Sequence, residues 1–145
     1  MPFPRLIPAA LAASMTLWAS PLLADEPLRV EINNIKSNKG TIYVMAFSTK
    51  ADFETINEKA LKGIAYTKAS MAEKGKLTLL VKGAKPGCCA LVAFHDENDN
   101  KDIDMIAGIP REGYAFSNGE KDGEPPAFDK AIVKENSTQI PLIYW

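Results

Sequence analysis

The segment 95–104 has the strongest concentration of side chains that could bind an ion. It reads HDENDNKDID and contains five of the chain's eighteen acidic residues with one cation. Calcium takes about six to eight oxygen ligands, and loops with the spacing D-x-[DN]-x-[DN] supply them from alternate positions. The spacing therefore predicts the first half of a Ca²⁺ site, with oxygen ligands at Asp96, Asn98, Asn100, Asp102 and Asp104.

Two parts of a helix-loop-helix calcium site are missing from this segment. Lys101 occupies the position of the glycine that follows the third ligand, and Ala107 occupies the position of the closing bidentate acid. Glu112 could supply the closing carboxylate if the chain folds back on itself. The alternative is a solvated turn, because Asp and Asn side chains bond their own backbone and are common in turns for that reason alone.

His95 is the chain's single histidine, and it lies between an apolar run and the acidic segment. An imidazole there could act as a base, as a metal ligand or as a buried structural group. Because nothing nearby resembles a nucleophile that it would activate, we predict the structural role.

Aromatic and polar residues after the acidic segment could line a groove for a small molecule, a glycan or a peptide. The alternative is that these aromatic residues only hold their loop against the domain. The candidate ligand-binding residues are His95, Tyr114, Phe116, Ser117 and Asn118.

Cys88 and Cys89 are adjacent in a run that is apolar on both faces. Successive side chains of a strand point to opposite faces, so two adjacent strand cysteines cannot pair. The sequence therefore predicts that no disulfide joins them. One would lie in the core, and the other would be a free thiol or a link between chains.

The elements that must position these residues are short strands. Alternating or β-branched runs predict strands at 28–33 and 41–47, paired as a hairpin, and helical spacing at 51–62 predicts one short helix or helical loop. Because Pro141 cannot donate to a ladder, we expect its strand to lie at an edge or to carry a bulge. Further strands are predicted at 64–71, 76–81, 88–94 as the central strand, 127–134 and 138–144. About seven strands with almost no helix predict an all-β, antiparallel β-sandwich.

The first 24 residues have the outline of a secretory signal peptide. Arg5 precedes an apolar run that is too short for a stable bilayer span, and cleavage is expected after Ala24. Residues 25–145 then form a single domain, which we expect to be periplasmic or secreted and without a membrane span after cleavage. With 17 basic and 18 acidic residues the chain lacks the basic footprint of a nucleic-acid-binding protein.

Several sequence blocks resemble a bacterial domain-of-unknown-function family, number 2141. The blocks are Pro86-Gly87, 90–98, Asn100, Asp104, 108–110, 112–114, 116–118, Pro126 and Phe128. The resemblance implies an exported β-sandwich of the prealbumin or carboxypeptidase-regulatory type, with no established activity, substrate or cofactor. This chain departs from the family at Cys88-Cys89, where a small residue and a tyrosine are usual. It departs again at Asp99 and Lys101, where glycines are common.

Two classes of function remain open at this point. The first is an exported, non-catalytic binding module of unknown ligand, with the acidic loop, ordered by Ca²⁺, and the following segment 108–118 as its recognition surface. The second is a small periplasmic hydrolase or transferase that uses His95 with Asp96 or Glu112. The chain has neither a second histidine nor a nucleophile motif, and this favours the binding module.

Overall fold

A computed structural model describes residues 26–145, so the predicted signal peptide lies outside the described residues. Within residues 26–145 the chain forms nine strands and two short α-helices. The strands are β1 Leu28–Asn33, β2 Thr41–Phe47, β3 Gly63–Lys68, β4 Leu77–Val81, β5 Ala90–Asp96, β6 Met105–Ile106, β7 Ile109–Pro110, β8 Tyr114–Phe116 and β9 Ser137–Pro141. The helices are α1 Lys50–Thr55 and α2 Phe128–Ala131. No helix in this described part is long and apolar enough to cross a membrane.

The described strands form two main sheets and a small ribbon. One sheet has the order β4-β1-β9, in which β1 is antiparallel to β4 and parallel to β9. The other has the order β3-β2-β5-β8 and is antiparallel throughout, while β6 and β7 pair only with each other. The predicted all-β sandwich is therefore confirmed, with one parallel pair that the sequence did not reveal.

Side-chain alternation decides how the sandwich is packed. Val30 and Ile32 of β1 meet Val44 of β2 and Leu91 of β5 in a core cluster shared by the two main sheets. The opposite face of β2 and β5 contributes to a second cluster, which also includes Phe53 of α1. Since both of its faces are covered, β5 is buried along its whole length, and it is the central strand predicted from its continuous apolar run.

The predicted hairpin of residues 28–33 and 41–47 is wrong. β1 pairs with β4 and β9 in one sheet, while β2 pairs with β3 and β5 in the other. The alternation in each run identifies its buried face correctly, but it carries no information about the neighbouring strand. The chain between the two runs therefore crosses from one sheet to the other.

The short helix predicted at 51–62 is confirmed as α1, followed by a 3₁₀ turn at Glu58–Ala60. The strand predicted at 127–134 is wrong, because α2 occupies Phe128–Ala131 and only a bridge from Ile132 to Ala90 remains. The strand predicted at 138–144 is β9, which covers Ser137–Pro141 only, so 142–144 lie outside it. β9 lies at the edge of its sheet, as predicted from Pro141.

The prediction that Cys88 and Cys89 remain unpaired is also wrong, because a disulfide joins them. β5 begins only at Ala90, so both cysteines precede the strand and the alternation argument does not apply to them. Cys88 lies in the turn after Pro86-Gly87, and Cys89 is buried against the core.

Candidate functional site

The acidic loop, residues 97–104, begins where β5 ends and is organised by the last residue of that strand. Asp96 is fully buried, and its carboxylate accepts hydrogen bonds from the backbone N–H groups of Asn100 (3.1 Å) and Lys101 (2.8 Å). A buried carboxylate needs such donors, and hydrogen bonds to a charged acceptor are stronger than neutral ones. Asp96 therefore folds the loop back over the end of its own strand.

The loop turns through two residues in the left-handed region, Asp99 (φ 57°) and Lys101 (φ 65°). Residues with a Cβ rarely adopt this conformation, and glycine adopts it without strain. The resemblance described above implies glycine at these two positions, which this conformation would explain. This chain instead keeps the turn with a Cβ-bearing residue at each position, at a cost in backbone strain.

The five candidate metal ligands of the segment bond mainly to one another and to the loop backbone. The side-chain amides of Asn98 and Asn100 both donate to the Asp104 carboxylate. Their side-chain oxygens accept from the backbone N–H groups of Asn100 and Asp102, and an Asp102 oxygen accepts from the N–H of Ile103. The loop is thus ordered by its own Asx-type hydrogen bonds.

The chain does fold back to bring Glu112 against the acidic loop. Glu112 is 5% exposed, and its two oxygens accept from the backbone N–H groups of Glu97 (2.9 Å) and Asp104 (3.2 Å). One carboxylate therefore fastens both ends of the loop. Among residues 26–145, no group of three or more His, Cys, Asp or Glu side chains is placed to hold a metal ion. Calcium binding by this loop stays a prediction.

His95 is fully buried on the opposite face of β5 from Asp96. Its Nε2 lies 2.7 Å from the Lys39 carbonyl oxygen, which can only accept, so Nε2 carries the proton. In the neutral imidazole, Nδ1 accepts from the Tyr144 hydroxyl at 2.8 Å. Burial raises the pKa of Tyr144 to about 12, so the hydroxyl keeps its proton well into the alkaline range. The geometry agrees with the structural role predicted for His95.

Tyr144 in turn packs on Gly113, where a Cβ atom would collide with the tyrosine ring. Any other residue at position 113 would displace Tyr144 from His95. The glycine therefore permits a contact that joins the end of the chain to the segment following the acidic loop.

The remaining predicted ligand-binding residues are held by neighbouring chain segments. The Tyr114 hydroxyl donates to the Gly123 carbonyl, and Phe116 packs edge-on against Phe53. Ser117 is buried and bonds to the backbone of β5 and α2, while the Asn118 amide donates to the carbonyls of Lys130 and Ile132. The contacts of Ser117 and Asn118 therefore hold the chain after β8 against α2 and β5.

Sequence reasoning missed a groove that borders the acidic loop. We call it the tyrosine groove; it has a volume of about 440 Å³, and it is lined by Thr41, Tyr43, Tyr66, Thr67, Lys68, Asp99 and Lys101. Strand pairing assembles it, because β3 and β2 place Lys68 opposite Thr41 and Tyr66 opposite Tyr43. The sequence shows these residues at alternate positions of two runs but does not show the register that joins them.

One ion pair connects the groove to the loop. Lys68 Nζ lies 2.8 Å from an Asp99 oxygen, and the Thr41 hydroxyl donates to the other Asp99 oxygen at 2.6 Å. The hydrogen bond from Lys68, followed by that from Thr41, lowers the pKa of Asp99, and the Asp99 partner raises the pKa of Lys68.

The fold and this site define a small β-sandwich domain with a self-ordered acidic loop at one end and a polar, aromatic groove beside it. The family model described as "Uncharacterized protein conserved in bacteria (DUF2141)" matches residues 30–140, and the chain belongs to this family. The match extends from β1 to β9 and includes the whole acidic loop. Searches of curated proteins and of solved structures found no match.

Proposed function

We propose that this protein is an exported, non-catalytic binding module whose recognition surface includes the acidic loop and the neighbouring β6-β7 ribbon. The observation that carries the proposal is the role of the buried polar groups. Asp96 and Glu112 hold the loop backbone, and His95 holds Tyr144 and Lys39. The two carboxylates hold the loop backbone from inside the domain, and the side chains of Asn98, Asn100 and Asp102 stay exposed on its outer surface.

The β6-β7 ribbon adds an exposed apolar tip to this surface. Met105, Ile106 and Ile109 are each about half exposed, and the ribbon turns through Ala107 and Gly108 at positive φ. The ribbon begins directly after Asp104, whose N–H is held by Glu112. The buried carboxylate therefore also fixes the base of the ribbon, which favours a preformed surface.

The arrangement favours binding over the alternative, a small periplasmic hydrolase or transferase using His95 with Asp96 or Glu112. A general base must come within hydrogen-bond reach of the proton that it removes. All three side chains are buried and already bonded to protein groups. We expect no turnover of a broad panel of ester, amide and phosphoester substrates. Turnover that His95→Gln abolishes while the circular dichroism spectrum is unchanged would establish the enzyme instead.

Export is proposed from the apolar run that precedes Asp25. In the native host, the protein should be recovered from the periplasmic or culture fraction with its first residue near Asp25. N-terminal sequencing and fractionation check this expectation. Recovery from the cytoplasm with Met1 intact would remove the export part of the proposal.

A further inference from the structure

We propose that the tyrosine groove is a saccharide-binding site that takes a neutral pyranose, with Tyr66 as the stacking surface and the Lys68–Asp99 pair as the hydroxyl-binding rim. This inference rests on the proposed function, because it names a ligand class for a surface that includes part of the acidic loop. Three features of the groove support it: the aromatic row, the polar rim and the charge balance.

The aromatic row crosses the outer face of the four-stranded sheet. Strand register places Tyr66 opposite Tyr43, and Phe94 lies between Tyr43 and Tyr114. The Tyr43 and Phe94 rings stack nearly parallel at 4.9 Å, and Tyr66 follows at 5.6 Å from Tyr43. The inner rings thus pack against one another, and the row ends at Tyr66 on the edge strand β3.

Tyr66 is 65% exposed although it adjoins this packed row. An exposed ring that is supported on one side by another ring is a rigid surface, and ordering it for a ligand costs little conformational entropy. Pyranose rings present an apolar face of C–H groups, which packs well on the electron-rich face of an aromatic ring. The end of the row therefore has the chemistry of a sugar-stacking platform.

The polar rim offers both donors and acceptors to a hydroxyl-rich ligand. Lys68 and Asp99 are held together by their ion pair, and Thr41 bonds to both of them. The Lys68 and Asp99 side chains are nevertheless exposed. A sugar hydroxyl both donates and accepts, so neighbouring ammonium and carboxylate groups can bind a pair of hydroxyls together.

The charges around the groove favour a neutral ligand. Lys68 and Lys101 line it with Asp99, and the buried Asp96 lies opposite Thr41 on the same strand pair. These named groups sum to zero formal charge, which provides no net attraction for a phosphate, a polyanion or a cation. The volume of about 440 Å³ is sufficient for a small-molecule ligand.

Isothermal titration calorimetry of the protein purified from its native host tests the site. The probes are the neutral hexasaccharides of cellulose, amylose, chitin and xylan, with polygalacturonate as an anionic comparison. We expect at least one neutral probe to bind and Tyr66→Ala to weaken its binding by about tenfold. Tyr66→Phe, which keeps the ring, should stay within about threefold of the unmodified protein.

Trp145→Ala is the matched control for removal of an exposed aromatic side chain. Trp145 is 64% exposed and donates to Tyr114 of β8, at the sheet edge opposite β3, so its loss should leave saccharide binding unchanged. Lys68→Met should weaken binding by several-fold, because it removes the ammonium of the rim and leaves most of the side-chain volume. Circular dichroism spectra confirm that each variant is folded.

The proposal is overturned if none of the neutral probes binds at about 10 mM, if Tyr66→Ala binds as the unmodified protein does, or if only polygalacturonate binds. These outcomes leave the proposed function separately testable. If the protein is exported and shows no turnover but does not bind the saccharides, only the saccharide proposal is wrong. If the protein is cytoplasmic or catalytic, the proposed function is wrong, whatever the groove binds.

Discussion

The two ends of the outer face of the four-stranded sheet carry the same kind of residue in opposite environments. At one end, Phe53 of α1 is 2% exposed and contacts Phe47, Phe116 and Phe128. At the other end, Tyr66 is 65% exposed at the margin of the tyrosine groove. Tyr66 belongs to β3 of this sheet, and Phe53 packs against the same sheet from α1.

The difference arises from the chain segments that cover each end of the sheet. α1 comes directly after β2, and α2 packs against both α1 and β5, so the first end is closed by two short helices. The acidic loop lies at the other end of β5. Asn98 and Asn100 bond to the loop backbone, Asp99 borders the groove through its bonds to Thr41 and Lys68, and Tyr66 stays exposed. The closed end therefore serves the stability of the fold, and the open end is available to a ligand.

The largest effect is expected when one aromatic ring is removed from each end of the sheet. Phe53→Ala should lower the free energy of unfolding by about 3–5 kcal/mol, because it leaves a cavity under α1. Tyr66→Ala should cost about 1 kcal/mol or less, since most of that side chain is already in water. Urea denaturation followed by circular dichroism measures both. Equal losses of unfolding free energy in the two variants would show that the two ends contribute equally to stability.

The next test compares the contributions to stability of the buried carboxylate of Asp96 and the exposed carboxylate of Asp99. Asp96→Ala should cost about 2–3 kcal/mol, because two loop N–H groups lose their acceptor. In the Asp96→Ala variant, amide hydrogen exchange at Asn100 and Lys101 should also be faster than in the unmodified protein. Asp99→Ala is the control and should cost below about 1 kcal/mol, since its ion pair with Lys68 is exposed. Unchanged exchange in Asp96→Ala would mean that the loop is ordered by something else.

Alkaline titration tests the junction between His95 and the end of the chain. Burial raises the pKa of Tyr144 to about 12, from the ordinary value of 10.0, so the folded state keeps the phenol proton that the unfolded state loses. Stability from this group is complete below pH 10 and falls as the pH rises from about 10 to about 12. The loss is on the order of 1–2 kcal/mol, because the side chain is only partly buried and solvent screens part of the effect.

Tyr144→Phe identifies the part of that decline that belongs to Tyr144. The phenylalanine variant should lose less stability than the unmodified protein over the same pH interval, as measured by urea midpoints. Equal declines would mean that other groups cause the alkaline loss. Tyr43, whose pKa is also raised by burial and then by Asp96 and Asp99, remains in both proteins and cancels from the comparison.

A smaller and opposite effect is expected from Lys101→Gly. Lys101 has φ 65°, and glycine adopts this conformation without the clash of a Cβ. The gain is offset in part by the freer unfolded chain, which leaves roughly 0.5–1 kcal/mol of stabilisation. Lys101→Ala, which keeps a Cβ, should give no gain. Thermal melts distinguish the two, and equal melting temperatures would show that the turn is not strained.

The smallest expected effect is that of calcium on the acidic loop. About 10 mM Ca²⁺ should raise the melting temperature by at most a few degrees, because the loop lacks a free closing carboxylate. The double change Asp96→Ala with Asp104→Ala should remove the rise, and Mg²⁺ should produce less of it. An unchanged melt, or an equal rise in the double variant, would leave the loop as a self-ordered turn.

Sequence patterns were enough to predict the sandwich class, the central strand and a polar loop after it, although His95 and Asp96 belong to β5 and the loop begins at 97. Each of these can be read from local information: alternation in β1, a continuous apolar run in β5, and side-chain oxygens at every second position of the loop. The family resemblance also marked Asp99 and Lys101, which the structure shows to be the left-handed residues of the turn.

Local patterns did not show which strands are neighbours, and the candidate site depends on that pairing. Pairing of β2 with β3, and not with β1, places Tyr43 beside Tyr66 and brings Lys68 to Asp99. The start of β5 at Ala90 likewise left Cys88 and Cys89 in a turn where they pair. Side-chain period reports which face of a strand is buried, but register and strand boundaries are set by contacts between residues distant in sequence, so no local pattern encodes them.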